Sequence, residues 1–252
     1  MSFSLRAKEE LEKHTSSARH CQIAELTAII SFCGRVSVRT DGRLFLILQS
    51  ENPLVARKAF VLLGRIFRVQ PDVSVMGNGE WKKSHVYTLA VRKHEEAERV
   101  LQASKFLQEN GVLRDLEMPV DSRILQRSCC RRAFLRGAFL SAGSISNPEK
   151  SYHFEIVCGN RERAEQLQKT ILSFDVEAKI VQRKRYQVVY VKEGNGIADL
   201  LNVMEAHMSL MELENIRILR GISGSVNRQV NCETANLNKT VSAAVEQVRD
   251  IE

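Results

Sequence analysis

The order of sequence patterns that follows Gly34 recurs after Gly143, and this internal repeat constrains the fold more than any other feature of the chain. A stretch of small and apolar residues from Cys21 to Gly34 reads as a buried helix, and Ser128 to Gly143 reads as its counterpart 109 residues later. In the first copy, Arg35–Arg39 and Leu44–Leu48 flank a turn at Asp41-Gly42, the signature of a hairpin. Pro53 opens a helical pattern to about Phe67, with Val55, Ala59, Leu62, Leu63 and Ile66 on one face. Val73–Val75 and Val86–Val91 predict a second hairpin, and a helix from about Glu95 to Glu109 closes the unit. The second copy has strands at Ser144–Ser146 and Tyr152–Val157 around Asn147-Pro148, then a helix capped by Asn160 that runs to about Phe174. Glu177–Val181 and Tyr186–Val191 pair next, before a helix from Ile197 to about His207. Both copies therefore read α-β-β-α-β-β-α, an α+β fold with a pseudo-twofold axis.

Outside the repeat, Phe3–Lys13 predicts an extra N-terminal helix with Leu5 and Leu11 as its buried points. Leu113–Asp121 reads as the link between halves, Pro119 blocking helix continuation. After a helical stretch from Leu210 to Leu219, Gly221-Ile222-Ser223-Gly224-Ser225 predicts a flexible break. A new helix capped by Asn236 is expected from Leu237 onward. The expected divisions are 1–125 and 126–226 for the two repeats and 227–252 for a linker with a lead-in helix.

With 252 residues, 44% hydrophobic and 27% charged, the chain has the makings of a packed core, and the composition excludes wholesale disorder. No apolar run approaches the length of a membrane span and no signal-peptide core opens the chain, so a cytosolic location is expected. Cys21, Cys33, Cys129, Cys130, Cys158 and Cys232 include no Cys-x-x-Cys pair and no histidine at zinc-ligand spacing. They read as reduced structural thiols, so neither a metal nor another cofactor is expected. His20, His153 and His207 have no carboxylate at an indicative spacing. Gly77-Asn78-Gly79 reads as a hairpin loop, because it lacks the lysine and following helix of a phosphate cradle.

The repeat-opening helices end as Leu26-Thr27-Ala28-Ile29-Ile30-Ser31-Phe32-Cys33-Gly34 and Leu135-Arg136-Gly137-Ala138-Phe139-Leu140-Ser141-Ala142-Gly143. Ala28, Gly137 and Ser141 are small enough for close helix contact, and Gly34 and Gly143 suit left-handed caps before a strand. Two such helices, each followed by the same order of elements, resemble the LAGLIDADG homing-endonuclease fold. The segments Arg132–Pro148 and Asn227–Thr240 are also similar to the WhiA family of bacterial transcription regulators, linked to sporulation and cell division. The resemblance implies paired helices at the pseudo-dyad and two four-stranded sheets forming a saddle over DNA. LAGLIDADG nucleases carry an acid just before the final glycine of each helix, where carboxylates hold the divalent metal that activates water. Cys33 and Ala142 occupy those positions, and Ser31 and Leu140 the other acidic position of the motif. Neither alanine nor a soft thiol suits Mg²⁺, so no catalytic residue and no enzyme activity are expected.

The chain has 37 Lys plus Arg against 30 Asp plus Glu, a net charge of +7. Residues 1–125 hold 19 basic and 15 acidic side chains, residues 126–226 hold 15 and 11, and the remainder 3 and 4. The excess is thus +4 on each repeat, as a duplex-sized saddle with matched halves requires. Strand alternation sets Arg35 and Arg39 on one face with Ser37. The other candidate DNA contacts are Arg43, Lys82, Lys83 and Arg92 in the first half, and Lys150, Arg183, Lys184, Arg185 and Lys192 in the second. Members of the family also carry a C-terminal helix-turn-helix domain that reads sequence. With the chain stopping at Glu252, that domain is expected to be missing. The function implied is a nucleoid-associated transcription regulator of sporulation and cell division on an inactive nuclease scaffold. Its partners would be double-stranded DNA, mainly through the missing domain, and a regulatory protein. A protein-interaction platform that never touches DNA and a metal-dependent endonuclease are the rival readings.

Overall fold

A computed structural model describes residues 2–77 and 85–251, and the chain divides into two compact units, Met1–Leu210 and Met211–Glu252. The first unit opens with α1, Phe3–Lys13, capped by the Ser2 hydroxyl accepting from the Leu5 N–H. Its buried face carries Phe3, Ala7 and Leu11, one turn apart. Leu5 lies two residues off that row and faces solvent, correcting the expectation that it is buried.

The first repeat comprises α2 (Arg19–Cys33), β1 (Gly34–Val38), β2 (Leu44–Ser50), α3 (Pro53–Phe67), β3 (Asp72–Gly77), β4 (His85–Val91) and α4 (His94–Ala103). The second comprises α5 (Ser128–Ala142), β5 (Gly143–Ile145), β6 (Phe154–Cys158), α6 (Arg161–Leu172), β7 (Lys179–Arg183), β8 (Tyr186–Val191) and α7 (Gly194–Met204). The αββαββα order expected from the sequence is therefore present twice. Each repeat forms an antiparallel sheet, in the orders β1-β2-β4-β3 and β5-β6-β8-β7. The helix α4 ends well before Glu109. Lys105 takes a left-handed conformation (φ 61°), and the N–H groups of Phe106 and Leu107 turn back onto the Leu101 carbonyl.

Alternation assigns the two faces of each sheet. Leu44, Leu46, Leu48, Leu89 and Val91 point inward from the first sheet, and Phe154, Ile156, Cys158, Val189 and Val191 from the second. Phe154 stacks on Phe139 of α5 with ring centroids 5.3 Å apart. The opposite faces are the more open ones and carry the polar residues discussed below.

The last helix, α8, runs unbroken from His207 to Ile251. It replaces both the expected break at Gly221–Ser225 and the expected separate helix from Leu237. Two glycines without an accompanying proline weaken a helix by about 1 kcal/mol each, which a helix of this length can absorb. The start of α8 is capped from outside its own chain segment. The Glu10 carboxylate of α1 accepts from the N–H groups of Met208 and Ser209, at 2.7 and 3.0 Å, and from the Ser209 hydroxyl. A carboxylate there satisfies orphan amide donors and meets the positive end of the helix dipole.

Candidate nucleic-acid interface

The repeats meet along α2 and α5. A Cβ added at Gly137 would stand 2.5 Å from the Glu25 carbonyl oxygen and 2.9 Å from the Ala28 Cβ, so only glycine fits this crossing. The hydroxyls of Ser31 and Ser141 fold back onto the carbonyls of Ala28 and Gly137, each at 2.8 Å, which keeps these polar groups satisfied within the pair. Gly34 and Gly143, expected to be left-handed caps, have φ of −88° and −90°. What requires glycine is space: a Cβ would collide with Ile30 after α2 and with Phe139 after α5.

Cys33 and Ala142 stand at the ends of these helices, the positions that the family resemblance assigns to nuclease acids. The surroundings of Cys33 are cationic. Burial pushes its thiol up, while a Ser141 hydrogen bond and the charges of Lys8 and Arg163 pull the other way. Burial lowers the Lys8 ammonium to about 8, against the opposing influence of Cys33, and Lys8 Nζ lies 5.6 Å from the Phe139 ring centroid. The Arg163 guanidinium sits 5.1 Å from the Phe32 ring centroid and donates to the Leu116 carbonyl. One thiol and two cations do not fit a hard divalent ion, which wants several oxygen donors. Asp41 faces Arg43 at 3.4 Å. Glu155 is enclosed by Ser144, His153 and Arg183 at 3.0–3.3 Å. Burial raises the Glu155 pKa, but its His153 and Ser144 hydrogen bonds and the charges of Arg183 and His153 outweigh this and hold it below the usual carboxylate value. Contrary to the sequence expectation, His153, just before β6, thus has a carboxylate partner two residues along the chain.

Among the described residues, the candidate DNA contacts lie on and around the open sheet faces. Arg35 and Ser37 pair with Ile47 and Phe45, away from the inward row, and Arg39 continues their face with its guanidinium 4.9 Å from the Phe45 ring centroid. Arg39, Arg43 and Arg92 line one recess together with Lys93, which the sequence reading did not single out. Arg92 is tied to Asp72 at 2.8 Å. Lys82 and Lys83 lie outside the described residues, as does the Asn78-Gly79 part of the expected hairpin loop. On the second sheet, Lys179, Val181 and Arg183 share the open face with Glu155 and Tyr190. Lys179 was missed, although its parity with Arg183 in β7 was available to find it. Lys184 occupies the left-handed position of the β7–β8 turn (φ 56°). Arg185 covers the Tyr186 ring and donates to its hydroxyl at 2.7 Å, and Lys192 Nζ lies 5.4 Å from the Tyr190 centroid. Lys150 is exposed in the β5–β6 connection.

A buried ion cluster behind the helix pair also escaped the sequence reading. Glu25 Oε1 lies 3.1 Å from both Lys58 Nζ and Arg136 Nε, and the three side chains are 0–1% exposed. Arg136 also donates to Glu205 at 2.6 Å and to the Met204 carbonyl, while Lys58 donates to the carbonyls of Leu11, Glu12 and His14. The available signal was a single charge within each apolar run, Glu25 in α2 and Arg136 in α5.

Sequence models described as the WhiA N-terminal LAGLIDADG-like domain, the WhiA LAGLIDADG-like domain and the WhiA C-terminal HTH domain match residues 19–107, 131–223 and 226–252. The last match corrects the expectation that the helix-turn-helix domain is missing, since 226–252 itself matches that domain's model. The chain is 51% identical to the "Probable cell division protein WhiA" of Lachnoclostridium phytofermentans over 252 residues, all of this chain and 80% of the relative. It is 46% identical to the protein of the same name from Alkaliphilus oremlandii, over all of this chain and 79% of that one. Among solved structures, full-length DUF199/WhiA from Thermatoga maritima superposes with a TM-score of 0.71 at 24% identity, covering 99% of this chain and 78% of that one. The homing endonuclease I-DmoI, solved with DNA and Mn, shares the fold with a TM-score of 0.51 at 12% identity, over 74% of this chain and 98% of the enzyme. With two LAGLIDADG-like repeats and this degree of identity across its whole length, the chain belongs to the WhiA family.

Proposed function

We propose that this protein is a DNA-associated transcription regulator of the cell-division and sporulation type, acting at the nucleoid, in which a LAGLIDADG-like scaffold binds duplex without cutting it. The observation that carries the reading is the pair of open sheet faces, each with basic side chains along an edge: Arg35 and Arg39 on and after β1 in the first sheet, Arg183 and Arg185 at the end of and after β7, the opposite edge of the second. Such side chains neutralise phosphates and read no bases, so sequence preference falls to the segment that matches the HTH domain model. No cleavage is expected, with Cys33 and Ala142 at the acidic positions and with Lys8 and Arg163 beside Cys33, supplying positive charge where a nuclease recruits a metal.

The test is a duplex-binding series across salt concentrations, with supercoiled plasmid and Mg²⁺ or Mn²⁺ in parallel. Binding to unrelated duplexes should fall with salt at a log–log slope of about −0.9 per neutralised phosphate. Changing Arg35, Arg39, Arg183 and Arg185 together to Ala should flatten that slope and weaken all sequences alike. Plasmid should stay intact, and nicking that survives repurification would restore the nuclease reading. Absence of duplex binding at about 25 mM salt, where phosphate contacts are strongest, would favour the interaction platform. That alternative draws on the exposed apolar residues of α8, among them Ile222, Val226, Val230, Leu237 and Val241.

A further inference from the structure

Four metal-ligating side chains that lie 108–110 positions apart in two adjacent pairs converge at the other end of the helix pair. His20 and Cys21 belong to the first turn of α2, Cys129 and Cys130 to the first turn of α5. One ligand atom from each lies within 4.8 Å of all the others. His20 Nδ1 stands 3.2 Å from Cys130 Sγ and 3.3 Å from Cys21 Sγ. In a tetrahedral zinc site, bonds of about 2.3 Å to sulfur and about 2.0–2.1 Å to nitrogen put the ligand atoms roughly 3.5–3.8 Å apart. To take an ion at its centre, the two short pairs need to open by a few tenths of an ångström, and any pair near the 4.8 Å limit needs to close by about 1 Å. Cys21 and Cys130 are buried against Ala24, Ile124 and Ala133, while His20 and Cys129 face solvent, so the site has a packed floor and an open entry.

We infer that His20, Cys21, Cys129 and Cys130 form a Cys₃His site for a borderline-soft divalent cation of the zinc type, clipping the openings of the two repeats together. Binding releases the three thiol protons and leaves a net charge of −1 on the ion with its three thiolates. That charge is met by the positive ends of both helix dipoles and by Arg127, whose guanidinium reaches the outer ring nitrogen of His20 at 3.3 Å. Arg127 must turn aside when His20 Nδ1 takes the metal, because Nε2 then carries the ring proton, and its exposed position leaves room to do so. The soft donor set selects against Mg²⁺ and Ca²⁺, so this site is distinct in chemistry as well as place from the nuclease centre that the fold has lost.

The experiment is titration of the full reduced chain with Co²⁺, followed by displacement with Zn²⁺. One equivalent should give the intense visible bands of tetrahedral cobalt with a sulfur-to-metal charge-transfer band, and one equivalent of Zn²⁺ should abolish both. His20→Ala and Cys129→Ser change exposed side chains and should leave the fold intact while weakening metal binding by at least roughly 10–100-fold. Cys21→Ser with Cys130→Ser should abolish the charge-transfer band, and Cys232→Ser should retain it. A six-coordinate cobalt spectrum, or tetrahedral bands unchanged by His20→Ala and Cys129→Ser, would overturn the assignment. So would a disulfide among Cys21, Cys129 and Cys130 that forms in place of metal uptake under reducing conditions.

Discussion

Replacing Glu25 by Gln removes the carboxylate that faces both buried cations, Lys58 of α3 and Arg136 of α5. Lys58 would keep only carbonyl oxygens, those of Leu11, Glu12 and His14, and Arg136 would keep Glu205, which is 34% exposed. At an effective dielectric near 20, each 3.1 Å contact with Glu25 is worth about 5 kcal/mol in Coulomb energy, offset in part by the cost of burying the carboxylate. Breaking a buried pair from one side typically destabilises by about 3–5 kcal/mol, because the remaining charge stays buried without its counter-ion. For a unit of this size, that corresponds to a fall in melting temperature of roughly 6–20 °C, read by circular dichroism. The variant also has a pH signature. Burial sets the folded pKa of Lys58 below the usual lysine value, and Glu25 opposes that shift. Between the folded value and about 10.5, the unfolded chain binds more protons than the folded one, so stability rises with pH across that window. Without Glu25 the folded value falls further and the window widens, so Glu25→Gln should recover part of its deficit at alkaline pH. The double change Glu25→Leu, Lys58→Met should be less destabilising than Glu25→Gln, since it leaves no unpaired charge at Lys58 and keeps Arg136 with Glu205. A Glu25→Gln melt within about 1 kcal/mol of the parent at pH 7 would refute the account of the cluster.

Three other perturbations test separate parts of the fold. Gly137→Leu should overpack the crossing with Glu25 and Ala28 and destabilise by about 1–3 kcal/mol or more, and an unchanged thermal melt would remove the packing argument. Glu10→Ala should uncap the start of α8 at a cost of about 1–2 kcal/mol, with faster amide exchange at Met208 and Ser209 as the local readout. Asp121, hydrogen-bonded and charge-paired with Arg123 and Arg114, is held at about 2, so the stability it contributes is lost as pH falls from about 4 to about 2. Asp121→Asn should flatten that part of the acid unfolding curve, and an unchanged curve would mean the pairing contributes nothing.

The element order was legible because the repeat states it twice: an ambiguous apolar run such as Tyr152–Val157 gains its meaning from Leu44–Leu48 in the other copy. Local chemistry placed Pro53 and Asn160 at helix starts for reasons the structure retains, Asn160 Oδ1 accepting from the Arg163 N–H at 2.9 Å. Local chemistry failed where the decisive neighbour was distant or where a breaker residue was outvoted. Gly221 and Gly224 look like a hinge in isolation, but a helix continues through them because no proline interrupts the hydrogen-bond ladder on either side. The glycines after α2 and α5 were identified correctly as residues and wrongly as conformations, since a close approach to Ile30 or Phe139 leaves no mark on the local pattern.

The site residues divide along the same line, and the division has a physical cause. Strand parity is a property of a few consecutive residues, which is why Arg35 and Arg39 could be sorted to one face, and why Lys179 could have been. The Glu25–Lys58–Arg136 cluster and the His20–Cys21–Cys129–Cys130 group exist only once α2 and α5 are laid side by side. Aligning the two helices by their terminal glycines, as the repeat invites, sets Ala28 against Gly137 and Cys21 against Cys130 in one step. The polarity of the helix pair then follows from its sequence: thiols and imidazole at the N-terminal end, a neutralised charge cluster behind the middle, and a thiol and an alanine flanked by cations at the C-terminal end. A nuclease needs anionic ligands at that last position, beside the duplex. A protein that holds duplex through phosphates is served better by what stands there, because every carboxylate removed from the C-terminal end and every cation brought to it reduces repulsion with the bound backbone.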